Sequence, residues 1–285
     1  MKILLTGAAG FTGHFFKSAA EAAGHQVVTL HADLTDRASV AAEVLQAAPD
    51  AVVHLAAISF VGHTDDKEFY GVNVVGTMNL LAGLAGLTVK PSKVLLASSA
   101  NVYGNCYASP IAEGQAPAPV NHYAMSKLAM EHMAWTYLDR LPIVIARPFN
   151  YTGPGQAPQF LIPKLVSHFA RRAPAIELGN LHVEREFNDV RMVSDAYLAL
   201  LAHGVSGEVY NVCSGLPYTL QHVIGVLSGI TGLTMDVNVN PAFVRVNEVH
   251  RLCGSPEKLL ACVGPLQQFN LCDTLNWMLM AESSV

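Results

Sequence analysis

Short apolar runs alternate with longer segments of mixed character through the first half of the chain. The runs at residues 3–5, 26–30, 51–55, 93–97 and 143–147 are rich in Val, Ile, Leu and Ala, and read as strands. Between them, residues 13–23, 38–48, 68–87 and 123–138 carry helix patterns. Gly24 and the pair Pro49-Asp50 stop the first two of these, and Pro148 stops the fifth strand. Strands alternating with helices at crossover spacing predict an α/β fold, with a parallel sheet covered by helices on both faces. After Asn150 the pattern loosens. Residues 152–158 read Thr-Gly-Pro-Gly-Gln-Ala-Pro, a loop. Helix patterns follow at 162–170, 194–202 and near 219–231, with a strand at 208–212. The break near residue 151 is the expected boundary, and the C-terminal stretch carries little periodic signal.

The 285 residues suit about two domains, or one large α/β unit with an addition. Apolar residues make up 51% and charged residues 14%, which excludes a disordered chain and allows a large core. A net charge of −5 with no Lys/Arg block argues against a nucleic-acid coat or a polybasic membrane anchor. The mean hydropathy of +0.32 draws attention to 69–89 and 209–235, which lack Asp, Glu, Lys and Arg. Asn73, Asn79 and four glycines interrupt the first; Asn211, Pro217, Gln221 and His222 interrupt the second. Such groups fit poorly in hydrocarbon, so neither is expected to span a membrane. Met1-Lys2 leads straight into a strand pattern, so no leader and a cytoplasmic location are expected. The five cysteines form no CxxC pair and the twelve histidines no HExxH or HxH, so free thiols and no metal site are expected.

Chemistry enters at Gly7-Ala8-Ala9-Gly10-Phe11-Thr12-Gly13, a GxxGxxG pattern that closes the first strand and opens the first helix. A dinucleotide turn needs that context. Gly7 permits the tight turn, Gly10 lets backbone approach a pyrophosphate, and Gly13 lets helix and strand pack closely. The helix start offers unpaired N–H groups and a partial positive charge to the phosphates. An acid ending the second strand would favour NAD by binding the adenosine ribose, but Leu30-His31 stands there. Asp33 falls in Ala32-Asp33-Leu34-Thr35-Asp36, a turn expected beside the adenine. No Arg stands beside His31 to grip a 2′-phosphate, so the cofactor is NAD(P)(H), with NAD and NADP both open.

Tyr123-Ala124-Met125-Ser126-Lys127 is a YxxxK pattern on a predicted helix, with phenol and ammonium on one face. An ammonium beside a phenol favours the phenolate and lowers its pKa. Ser98-Ser99 ends the fourth strand, on the side where such sheets bind ligands.

These pieces together resemble the extended short-chain dehydrogenase/reductase family over essentially the whole chain. The matching segments are Thr6 to Gly13, His54-Leu55-Ala56-Ala57, Asn73-Val74-Val75-Gly76-Thr77, Ser98-Ser99-Ala100-Asn101-Val102-Tyr103-Gly104, Tyr123 to Lys127, and Arg147-Pro148-Phe149-Asn150. The resemblance implies a Rossmann-like cofactor domain over 1–150, completed by about 190–213, and a substrate part over 151–285. It implies Ser99, Tyr123 and Lys127 as the catalytic three. Gly7, Gly10, Phe11, Thr12, Gly13, His31, Asp33, Leu34, Leu55, Ala56, Ala57, Asn73, Tyr123, Lys127 and Pro148 would hold the cofactor.

The second half is similar to the nucleotide-sugar branch, within it to the reductases of GDP-4-keto-6-deoxy-D-mannose that make GDP-D-rhamnose. The segments are Gly153 to Phe160, Leu178-Gly179-Asn180-Leu181, Arg185 to Val190 and Val209 to Gly215. That likeness implies reduction at C4 of a nucleotide-diphosphate sugar, GDP-linked. Arg185 and Arg245 would hold the diphosphate and Glu248 a ribose. Ser99, Asn101 and Asn150 would line the sugar. Arg forks suit a diphosphate, and a carboxylate accepts two hydroxyls. A 4,6-dehydratase is disfavoured, because Asn101 stands where relatives of that kind carry a carboxylate. A reductase that also epimerises would need a Cys and His pair, and Cys106 lies just beyond the relevant stretch. A 4-epimerase needs only Ser, Tyr and Lys and stays open, as does a non-enzymatic dinucleotide sensor. In this family the helices at 68–87 and 123–138 often pair between subunits, so a homodimer is a further expectation.

Overall fold

The computed structural model describes residues 1–243 and 249–282. Its centre is a six-stranded parallel sheet in the order β10-β5-β4-β3-β1-β2. The strands are β1 (Lys2–Thr6), β2 (Gln26–Thr29), β3 (Ala51–His54), β4 (Lys93–Ala97), β5 (Ile143–Pro148) and β10 (Val209–Val212). Every residue of β3 and of β5 is buried, as expected of strands covered on both faces. The sixth strand comes from beyond the Pro/Gly break, so the sheet is completed by the second half of the chain.

One face carries α1 (Phe11–Ala22), α7 (Val190–His203) and α9 (Glu257–Val263), packed over Ile3, Leu5, Val53, Leu95 and Val144. The other carries α2 (Arg37–Ala47), α4 (Thr77–Gly86) and α5 (His122–Trp135), over Leu4, Val52, Val94, Leu96 and Ile145, and α3 (Asp66–Tyr70) packs against α5. The helix expected over 68–87 is continuous, but its middle, Gly71–Gly76, winds as a π-helix. Such wide turns recur at functional sites. The run 66–86 is long and apolar enough to cross a membrane by length and composition, yet it packs here against α2 and α5.

α5 ends at Trp135 rather than near 138. Thr136 closes it by returning both its N–H (3.1 Å) and its hydroxyl (2.7 Å) to the Met133 carbonyl. α7 begins at Val190, ahead of the expected 194, because the Asp189 carboxylate caps it through the Arg191 N–H at 2.8 Å.

Three small sheets build the second part: β8 (Glu184–Glu186) between β11 (Pro217–Thr219) and β13 (Arg251–Leu252), β7 (Ala175–Leu178) with β12 (Asp236–Val239), and β6 (Tyr151–Thr152) with β9 (Asn188–Asp189). Helices α6 (Leu161–Ala170), α8 (Leu220–Thr231) and α10 (Leu271–Glu282) pack together around Leu165, Phe169, Val223 and Leu275. Buried Glu186 ties this part to the sheet. Its carboxylate accepts the Gly254 N–H at 2.6 Å and the Ser214 N–H at 2.7 Å. Cys213 and Cys253 are buried free thiols, Cys106 and Cys262 are half-buried, and Cys272 is exposed.

Candidate active site

The parallel register brings the C-terminal ends of four strands to one edge. Thr6 pairs with His54, His54 with Leu96, and Ala97 with Ala146. The glycine turn, the segment from Leu55 to Ala57, Ser98-Ser99 and Pro148 therefore leave the sheet side by side.

The glycine turn is built as its sequence requires. Gly7 has φ 72°. A Cβ on Gly7 would meet the Ala56 nitrogen at 2.7 Å, and one on Gly13 would meet the Gly7 carbonyl oxygen at 2.1 Å. The first intrahelical bond of α1 runs from the His14 N–H to the Gly10 carbonyl at 3.0 Å. The amides of Phe11, Thr12 and Gly13 precede it, and no side chain caps the helix. This cradle, closed to any Cβ and lined by open N–H groups, fits a dinucleotide pyrophosphate. Gly13→Ala should lower apo stability by ~1–3 kcal/mol through backbone displacement, and weaken cofactor binding. Urea unfolding and cofactor titration read both effects. Gly225→Ala, with nothing within 4 Å of the added Cβ, should do neither.

Beyond β2, the His31 N–H donates to the Glu43 carboxylate at 2.7 Å. Asp33 accepts the Thr35 N–H and hydroxyl, both at 2.8 Å, and these bonds hold its carboxyl below the usual range. Asp33 thus shapes the turn that follows the strand. Leu34 is buried, and its Cβ would lie 2.8 Å from a Cβ on Gly76.

Asn73 departs from its expected role. Its side chain accepts the Ile58 N–H (3.0 Å) and donates to the Ile58 carbonyl (3.1 Å) and Ser126 hydroxyl (3.0 Å). Both ends of the amide are thus spent joining the β3 exit to α5. A second link runs through buried His54, which hydrogen-bonds Thr6 at 2.7 Å and Thr77 at 2.8 Å. Burial, with the Lys127 ammonium nearby, pushes His54 down to about 3, so it stays neutral.

Ser99, Tyr123 and Lys127 come together, 5%, 7% and 3% exposed. Asn121 caps α5 through the Ala124 N–H at 2.8 Å, which sets Tyr123 in the first turn. The Ser99 hydroxyl accepts the Asn101 N–H and side-chain amide, both at 3.2 Å, and its effect on the Tyr123 phenol is to pull the phenol's pKa down. Lys127 donates to the Ala97 carbonyl at 2.7 Å.

The acidified phenol expected from the sequence is not found. Burial pushes Tyr123 up to about 12, against a downward pull from Ser99. The ammonium is turned to a backbone carbonyl, and burial brings Lys127 itself down to about 8 against the Glu131 carboxylate. In this structure Tyr123 is a protonated phenol, ready to donate.

A buried network that the sequence reading had not assigned lies beneath the three. Glu131, one turn past Lys127, accepts Ser98 Oγ at 2.5 Å, Arg147 Nε at 2.9 Å and Arg147 Nη2 at 2.5 Å. The Arg147 guanidinium lies 4.8 Å from the Tyr103 ring centroid, and Tyr103 donates to Asn211 at 2.7 Å. The signal available was position: Glu131 shares the Tyr123/Lys127 face of the helix.

The expected substrate set is only partly described. Asn101 sits on Ser99, and exposed Asn150 accepts the Asn188 N–H through its carbonyl at 2.9 Å. Arg185 is half-buried on β8 and donates to the carbonyls of Glu184 (2.9 Å) and Val249. Arg245 and Glu248 lie outside the described residues. Among the described residues no His/Cys/Asp/Glu group could hold a metal.

A parallel sheet with a phosphate-fitting turn at its edge, beside a buried Ser, Tyr and Lys, defines a dinucleotide-dependent oxidoreductase. Residues 3–213 match the NAD dependent epimerase/dehydratase family, and the chain belongs to it. It is therefore an NAD(P)-dependent enzyme of the extended short-chain dehydrogenase/reductase type. It is 38% identical over 270 residues to a GDP-6-deoxy-D-talose 4-dehydrogenase from Aggregatibacter actinomycetemcomitans, covering 93% of this chain and 92% of the relative. It is 35% identical over 273 residues to a GDP-6-deoxy-D-mannose reductase from Pseudomonas aeruginosa, covering 90% and 89%. The structure of RMD from Pseudomonas aeruginosa complexed with NADPH superposes with a TM-score of 0.93 at 32% identity, covering 99% of both chains.

Proposed function

We propose that this enzyme reduces the C4 ketone of a GDP-bound 4-keto-6-deoxy sugar, GDP-4-keto-6-deoxy-D-mannose, to GDP-D-rhamnose. The observation that carries this reading is the buried Ser99–Tyr123–Lys127 group beside the phosphate turn, with Tyr123 protonated. Near full-length likeness to two enzymes named for GDP-6-deoxy sugars supports the substrate class. A bound nicotinamide supplies the hydride. Tyr123 gives its proton to O4, and Ser99 orients that oxygen by hydrogen bonding. Lys127, anchored on Ala97, keeps positive charge beside the site while protonated. Arg185, with Arg245 and Glu248, is assigned to the nucleotide diphosphate and ribose, and binding there positions the ketone.

The two relatives are named for sugars that differ in configuration at C4, so the product decides between them. Mixing enzyme, reduced cofactor and GDP-4-keto-6-deoxy-D-mannose should consume cofactor and ketone in equal amounts. The product's H3–H4 proton coupling should be large, as for the manno configuration; a small coupling would give the talo product instead. Interconversion of sugars without net cofactor loss would make the protein a 4-epimerase. Cofactor binding with no turnover of any nucleotide sugar would leave a sensor.

A further inference from the structure

The phosphate turn has a partner far along the chain. Thr12 Oγ1 and the Tyr151 hydroxyl are hydrogen-bonded at 2.7 Å. The Phe11 ring stacks on Tyr151, with centroids 6.1 Å apart and an interplanar angle of 15°. Tyr151 therefore grips both residues that open α1. It is itself fixed from behind. Its strand, β6, pairs with β9, Tyr151 lying opposite Asn188. Its carbonyl accepts the Gln156 side-chain amide at 3.2 Å, and Gln156 in turn takes the Thr152 hydroxyl at 2.7 Å. Gly153 completes the packing: a Cβ there would meet Val190 at 2.7 Å and Phe11 at 3.4 Å.

A threonine hydroxyl in the first turn of a helix has an alternative partner in the local backbone. Hydroxyl capture by Tyr151 removes that competition. The amides of Phe11, Thr12 and Gly13 then stay free to meet phosphate oxygens. The geometry points to Tyr151 as a positioning residue for the dinucleotide, acting through Thr12 and Phe11 to hold the phosphate turn ready before the cofactor arrives. Because β6 pairs with β9 at the start of α7, the same contact joins the cofactor turn to the second part of the chain. The inference depends on the cofactor lying at this turn and not on which sugar is reduced.

Direct titration of the reduced cofactor into the protein, with no sugar present, tests it. Tyr151→Phe keeps the stacked ring and loses only the hydroxyl; Thr12→Val loses the other half of the bond. Each should weaken cofactor binding about three- to tenfold, the range of one lost hydrogen bond. The double variant should be no weaker than the poorer single variant, because both remove the same contact. Thr12→Ser, which keeps the hydroxyl, should restore most of the affinity relative to Thr12→Val. The apo melting temperature of Tyr151→Phe should fall by no more than a few degrees, the worth of one hydrogen bond, so that a larger drop marks a general loss of stability. Unchanged affinity in either single variant, multiplying effects in the double variant, or no rescue by serine would each overturn the assignment. So would a loss of affinity accompanied by a fall in the apo melting temperature well beyond that of one hydrogen bond.

Discussion

Turnover by Tyr123→Phe is expected to fall about a hundredfold or more, while the affinity for reduced cofactor stays close to wild type. The state of the phenol sets the size of the loss. Tyr123 is 7% exposed, and burial pushes it up to about 12. At neutral pH it therefore carries its proton. A developing alkoxide at C4 is a far stronger base than a phenolate, so a phenol held this high still donates downhill. Phe keeps the ring against Phe69, whose centroid lies 6.1 Å away, so the fold should not register the change. Only the hydroxyl is lost. Stopped-flow or steady-state rates at saturating sugar and cofactor measure the drop, and a cofactor titration supplies the control. Wild-type turnover in the Phe variant would remove Tyr123 as the proton donor.

The contrast between what the residues announced and what they withheld has a physical basis. The five strands before residue 150 are local apolar runs that a covered parallel sheet demands, and each lies within a residue or two of its expected span. The glycine turn was equally legible, because a Cβ at Gly7 or Gly13 has no room. The short strands of the second part were not. β6 and β9 are two residues each, and they pair across a long stretch of chain, so no periodicity marks them. Helices α9 and α10 were also unmarked: α9 is seven residues long, and in α10 the buried stripe of Leu271, Leu275, Met278 and Leu279 is masked by apolar residues on its other sides. Within the site, composition and spacing found Ser99, Tyr123 and Lys127 but misjudged their electrostatics. Spacing places an ammonium one turn from a phenol. It does not reveal that the Ala97 carbonyl will claim that ammonium, or that burial will outweigh any attraction between the two groups.

Burial is also why the ion pair beneath the site should matter more to folding than its surface counterparts. Arg147→Leu or Glu131→Leu alone is expected to cost ~3–5 kcal/mol of stability, because each leaves the other charge buried without its partner. The side chains of Glu131 and Arg147 are 0% and 4% exposed, so water cannot replace what is lost. Surface pairs such as Lys17 with Glu21, 3.9 Å apart and about half exposed, should cost under ~1 kcal/mol when broken. The double replacement Glu131→Leu with Arg147→Leu should recover a large part of the single-variant loss, since two apolar side chains leave no unpaired charge. Recovery should be incomplete, because Ser98 Oγ would lose its acceptor and Tyr103 the guanidinium over its ring. Urea unfolding of the four proteins gives the cycle directly. Single variants within ~1 kcal/mol of wild type would mean that the pair contributes no more than an exposed one. The catalytic consequence follows from geometry: Glu131 grips Ser98, next to Ser99, from the helix that carries Tyr123 and Lys127. A double variant that regains stability should therefore still lose turnover, because the strand end and the helix would no longer be pinned to each other at the point where the phenol and the serine must meet.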